Sequence, residues 1–145
     1  MKWVTRKRIQ VNRAATAWLV RRFIDPRAEF LFVDPEQVAG VQEREGAIGF
    51  DAPGARYPHQ DARGRCSFEA LVAEHHASDP ALVELARIIH GADLKDLDAA
   101  PECQGLLTIS RGFPLVARDD QETMEKTAFL YDALYASLKQ RQAQA

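Results

Sequence analysis

An α+β fold, predominantly α-helical with a few short strands, is what this sequence predicts, in one domain over residues 1–145. Apolar residues recur at helical spacing in several long stretches, whereas the β-type runs are brief, as in Phe30-Leu31-Phe32-Val33. No repeat, linker or low-complexity segment divides the chain, and its 145 residues are enough for one buried core.

Trp3–Thr5 reads as a short strand. Asn12 is placed to cap a helix over residues 13–24, where Ala14, Ala15, Trp18, Leu19 and Phe23 share a face, and Asp25-Pro26 stops it. Glu29–Val33 reads as a buried strand bounded by Asp34-Pro35, and residues 35–44 as a short helix with proline in its first turn. A strand over 47–50 runs into the turn Asp51-Ala-Pro-Gly. Residues 51–65 lack periodicity and form a functional-loop candidate. Ser67 is placed to cap a helix through His76. Asp79-Pro80 opens another to His90, with Gly91 as its stop signal. Pro101 starts a helix through Arg111, closed by Gly112. The last helix covers 119–139 on the stripe Met124, Ala128, Tyr131, Leu134, Tyr135 and Leu138, and the tail 140–145 is expected to fray.

The composition, 46% hydrophobic and 28% charged, excludes wholesale disorder. The apolar runs are too short for a membrane span, no apolar segment follows the basic N-terminus as in a signal peptide, and two cysteines make no disulfide framework. A soluble cytoplasmic protein is expected. The formal charge of -2 hides an asymmetry. Residues 1–27 hold eight basic side chains (Lys2, Arg6, Lys7, Arg8, Arg13, Arg21, Arg22, Arg27) against Asp25 alone. Such a stretch serves either as a surface for anions or nucleic acid, or as internal ion-pair partner of the acidic remainder.

All four histidines lie between positions 59 and 90, among carboxylates that include Asp51, Asp61, Glu69, Glu74, Asp93, Asp96 and Asp98. Imidazole with carboxylate suits a divalent transition metal such as Zn, Mn, Fe or Ni, and His59, Glu69, His90, Asp93 and Asp96 are the candidate ligands. No HExxH or CxxC motif reinforces that reading, and His90 in a last helical turn gains from the helix dipole without any metal. Cys66, just before a helix and beside Arg63 and Arg65, is a redox candidate if its thiolate is favoured. Otherwise it is a small buried residue at the helix entrance. There is no Gly-rich phosphate loop and no recognisable nicotinamide or flavin motif.

Several runs together resemble the C-terminal domain of ChrB-type chromate-resistance proteins. They are Lys2-Trp-Val-Thr-Arg6 with Asn12-Arg13-Ala-Ala-Thr-Ala-Trp18-Leu-Val-Arg21-Arg22-Phe23-Ile24-Asp25, then Ala47-Ile-Gly-Phe50-Asp51, His59 and Cys66-Ser67-Phe68-Glu69. Ile88-Ile89-His90-Gly-Ala-Asp93-Leu-Lys-Asp96 and Tyr131-Asp132-Ala-Leu-Tyr135 complete the set, so the likeness covers nearly the whole chain. Full-length members of that family join such a domain to an N-terminal regulatory segment and are associated with chromate sensing and control of an efflux pump. The family's first motif often reads Asp-Arg-x-Ala-Cys-Pro-Trp. Asn12, Thr16 and Ala17 stand here in place of its Asp, Cys and Pro, so no thiol acts at position 16.

The resemblance singles out Arg13, Arg21 and Arg22, and arginine suits a dianion such as chromate. Arg13 at a helix N-terminus adds its charge where the dipole already favours an anion. Arg21 falls about 80° from Arg13 around an ideal helix and Arg22 about opposite, so the three do not form one site on a single helix. Three functions follow as expectations: a chromate-resistance accessory or sensor domain binding a small oxyanion beside a possible metal, a metal-dependent enzyme, and a DNA-binding regulator of an efflux pump. The oligomeric state is left open.

Overall fold

The computed structural model describes residues 1–145. The predicted fold class holds: helices dominate, and the strands are few and short. Strand β1 (Lys2–Arg6) lies at the centre of a three-stranded sheet, with β2 (Glu29–Val33) on one side and β3 (Ile48–Gly49) on the other. Both pairings are parallel, in registers that oppose Trp3 to Phe30 and Trp3 to Ile48. Parallel neighbours need crossover segments. Helix α1 (Val11–Leu19), continued by a π-helical turn Val20–Ile24, links β1 to β2. A 3-10 turn Pro35–Gln37 and helix α2 (Val38–Glu45) link β2 to β3.

Alternation along the central strand explains the two cores. Trp3 joins Trp18, Phe30 and Phe50 in the large cluster that includes α1. Val4 points the other way and meets Val38 and Val41 of α2. The larger core is then closed by α3 (Ser67–His75), α4 (Pro80–Asp93), α5 (Glu102–Arg111), the short α6 (Phe113–Val116) and α7 (Asp120–Ala143). Helix α4 packs against α1, α3, α5 and α7. Trp18 of α1 lies 6.0 Å from Tyr131 and 5.9 Å from Tyr135 of α7, and its indole N–H donates to Asp132. No helix is long and apolar enough to cross a membrane.

Four local expectations are corrected. Helix α1 begins at Val11 after Gln10, so Asn12 is no cap: it lies inside the first turn, buried, with its amide spent on tertiary partners. The cap of α3 is Cys66, whose sulfur accepts from the Glu69 amide while the Glu69 carboxylate accepts from Cys66 N–H, and Ser67 is buried inside the helix. Helix α7 runs on to Ala143, where fraying was expected from residue 140. Gly91 does not end a helix, because α4 continues to Asp93.

The reason for glycine at 91 is close approach. A Cβ there would stand 2.5 Å from Cys103 Sγ of α5 and 2.7 Å from the Asp96 carbonyl oxygen. Gly91→Ala is therefore expected to destabilise the fold by about 1–3 kcal/mol through overpacking, outweighing the roughly 1 kcal/mol that alanine gains in a helix. Denaturant unfolding checks it, and an unchanged midpoint would show that α5 yields freely.

Candidate functional site

The strand order reverses between β1 and β3, and open parallel sheets bind ligands in the crevice beyond the strand ends at such a point. Arg6 is the last residue of β1, and Asp51 follows β3 by two positions. The Asp51 side chain is only 1% exposed, and it organises the crevice. Its Oδ1 accepts from Arg6 Nη2 at 3.0 Å and from His59 Nδ1 at 2.8 Å. An ionised carboxylate only accepts, so the His59 proton resides on Nδ1. Oδ2 accepts from Asn12 Nδ2 at 2.9 Å and faces Arg13 Nη1 at 3.7 Å, while the Asp51 carbonyl accepts from Arg6 Nε at 2.6 Å.

Asn12 ties this group to α3. Its amide nitrogen also donates to Ser67 Oγ at 2.8 Å, and its oxygen accepts from Phe68 N at 3.3 Å. An amide is what the bond to Asp51 requires, since a carboxylate at position 12 would set acceptor against acceptor. Thr16 Oγ1 completes the buried cluster 3.1 Å from Ser67 Oγ.

Asp93, the last residue of α4, brings its Oδ2 to 3.8 Å from His59 Nδ1. Burial, reinforced by the charge of Asp51, pushes its pKa up to about 6. Burial works the same way on Asp51, but the His59 hydrogen bond, Arg13, Asn12 and Arg6 outweigh it and hold that carboxyl below its ordinary range. The bond to Asp51 raises His59, favouring imidazolium. Burial lowers Arg13 against the pull of Asp51. Two polar atoms here are buried without a partner, the donor Arg13 Nε and the acceptor Asp93 Oδ2. Both residues line one cavity of about 330 Å³, together with Asn12, Asp51, Lys95 and Arg111. The chain's three non-glycine residues with left-handed backbone, Arg8 (φ 61°), Asp51 (φ 49°) and Lys95 (φ 61°), all sit around this crevice: Lys95 and Asp51 line the cavity, and the Arg8 carbonyl accepts from Arg13 Nη2 at 2.8 Å. Such strain clusters where surrounding structure fixes a site.

Residues 3–138 match the family described as ChrB, C-terminal domain. This chain belongs to that family. Protein ChrB of Cupriavidus metallidurans is 34% identical to it over 135 residues, which is 92% of this chain but 40% of that relative, so the chain spans less than half of the relative's length. No solved structure matches.

In this ChrB C-terminal domain the candidate metal ligands fall into two groups. His59 and Asp93 stand with Asp51. Glu69 and His90 instead bond to each other through Oε1 and Nδ1 and, with Asp96, Arg65 and Arg87, line a different cavity of about 560 Å³. The three arginines also separate. Arg13 alone reaches the crevice. Arg21 donates to the Ala28 carbonyl and lies 5.3 Å over the Phe30 ring, and Arg22 pairs with Asp132 of α7. Of the N-terminal cations, Lys2, Arg6, Lys7, Arg13 and Arg22 all have carboxylate partners, so the internal-pairing alternative accounts for most of the charge asymmetry. Cys66 is fully buried and burial pushes its thiol well above its usual pKa, which corrects the redox expectation in favour of a structural residue. Arg6, Asn12, Asp51, Lys95 and Arg111 were not among the candidates. Arg6, Asn12, Asp51 and Lys95 lie in the motifs that carry the resemblance, whereas nothing local marks Arg111.

One oxygen each from Asp51 and Asp93 and one nitrogen of His59 lie within 4.8 Å of one another, so the group could hold a metal ion. Its surroundings compete with one for the Asp51 oxygens. Both Asp51 oxygens are already engaged by N–H donors, and two guanidinium groups stand beside them. Of the two orphaned atoms, the acceptor Asp93 Oδ2 suits a cation, and the donor Arg13 Nε calls for an acceptor instead.

Proposed function

We propose that this domain binds a small tetrahedral oxyanion in the crevice beside Asp51, chromate being the one the family resemblance points to, and acts as an accessory or sensing domain in chromate resistance. The observation that carries this reading is Arg13. Its side chain is 13% exposed, its Nε lacks a partner, and it lines a cavity that also presents Lys95 and Arg111. Among the lining residues Arg13, Lys95 and Arg111 outnumber Asp51 and Asp93, so the crevice attracts anions. About 330 Å³ holds an oxyanion with several waters.

The test is calorimetric titration with chromate of the wild type and of Arg13→Gln. A hydrogen bond to a charged group is worth about 1.5–3 kcal/mol, so binding is expected to weaken by about tenfold or more in a variant whose circular dichroism is unchanged. Equal affinity, or no binding by the wild type, overturns the reading. A second reading, a divalent ion on Asp51, His59 and Asp93, has the ligand spacing in its favour. Elemental analysis of untagged protein and of His59→Ala tests it: near-stoichiometric metal that disappears in the variant supports the ion, and absence from both removes it.

A further inference from the structure

Two residues that line the cavity each keep a buried polar atom without a partner, and the two atoms are opposite in kind. Arg13 leaves a buried donor without an acceptor, and Asp93 leaves a buried acceptor without a donor. A fully deprotonated oxyanion answers only the first and sets its own lone pairs against the Asp93 carboxylate. A water answers either but gives the cationic wall no charge. One ligand type answers both: an oxyanion that keeps a proton, with O⁻ toward the guanidinium and O–H toward the carboxylate.

Resting on the oxyanion reading of this cavity, we propose that Asp93 is a specificity-determining residue that accepts a hydrogen bond from the ligand's own hydroxyl. The site thereby selects monoprotonated tetrahedral oxyanions and rejects those fully deprotonated at neutral pH. A turn about the Cβ–Cγ bond presents either Asp93 oxygen to the cavity, and the proton stays on the ligand. Asp93 is suited to this role because nothing donates to its Oδ2: the nearest cation, His59 Nδ1 at 3.8 Å, is already bonded to Asp51. Asp51, by contrast, already accepts from Arg6, Asn12 and His59, and Arg13 stands 3.7 Å from its Oδ2. The charged groups facing Asp93 are Arg6 from β1, Arg13 from α1, and Asp51 and His59 from the segment after β3. None of them donates to its Oδ2.

The consequence is chemical. Near neutrality every arsenate ion keeps at least one proton and chromate keeps one on a substantial fraction of its molecules, whereas selenate and sulfate carry none. Chromate and selenate are nearly the same size and shape, so that pair isolates the proton from the fit. Rejection works by repulsion, since an oxygen without a hydrogen meets a like-charged acceptor.

Calorimetric titration of the whole chain with chromate, arsenate, selenate and sulfate at one near-neutral pH tests this, followed by the same series on Asp93→Asn. The wild type is expected to favour chromate over selenate, and arsenate over sulfate, by about tenfold or more. Asp93→Asn replaces an obligate acceptor with a group that also donates, so selenate and sulfate are expected to gain affinity and the gap to close. A gain in binding is not something a damaged fold produces. Selenate binding the wild type as tightly as chromate, or a gap unchanged in Asp93→Asn, overturns the role of Asp93 while leaving the oxyanion reading intact. Failure of all four anions to bind overturns both.

Discussion

Asp51→Ala is expected to lower the unfolding free energy by about 3 kcal/mol, the lower end of what removing one partner of a buried ion pair costs. The carboxylate is wholly buried, and its removal strips Arg6, Arg13, His59 and Asn12 of their shared acceptor. The cost stays at the lower end because Arg6 and His59, at 29% and 51% exposure, can turn toward water. Urea denaturation of the variant at neutral pH measures it. A loss below about 1 kcal/mol, the level of an exposed pair, would mean that the crevice is solvated and its ion pairs contribute little.

The neighbouring carboxylate predicts the opposite sign. Asp93→Asn is expected to stabilise the ligand-free protein at neutral pH by about 2–3 kcal/mol. Burial has lifted Asp93 from an ordinary 3.8 to about 6. Between those values the unfolded chain has released its proton while the folded chain still holds it. Folding stability therefore falls as pH rises through that window, and above about 6 the whole deficit is present. Asparagine carries no such deficit, so the variant's advantage should be full near pH 7 and vanish near pH 4. Asp51, with its pKa held low, titrates in the contrary sense and contributes stability that is lost as pH falls through its folded value. The difference between wild type and Asp93→Asn, measured by denaturation across that range, separates the two. An advantage independent of pH would show that the amide acts through packing rather than through the missing charge.

How far the sequence is legible depends on distance along the chain. Asp79, which accepts from the amides of Ala81 and Leu82, is a purely local device, and its motif is readable from four consecutive residues. The strand at Glu29 is equally plain from composition and that at Trp3 is marked only by a three-residue run, but their parallel pairing is not legible, because nothing within a strand states which neighbour it will meet. Asn12 is the instructive failure. The residue type and position match a helix cap, yet its partners are Asp51 and Ser67, 39 and 55 residues away. The same separation hid the crevice. His59 and Asp93 were recognised as chemically apt, but Asp51 was one acid among many until β3 carried it to the end of β1. Glu69 and His90 likewise matched a ligand set by type, and folding made them partners of each other.

The central position of β1 also governs how this molecule comes together. The strand precedes both of its partners in the chain, and neither pairing is a hairpin, so each waits for a crossover helix to form and close. Contacts of such sequence separation place the sheet in the slower kinetic class, behind the neighbouring α3–α4 hairpin. Arg6 meets Asp51 only when β3 docks, and Arg13 gains its counterion at the same moment. The crevice therefore has no partially formed version, and ligand affinity should rise and fall as a single cooperative unit with the whole fold.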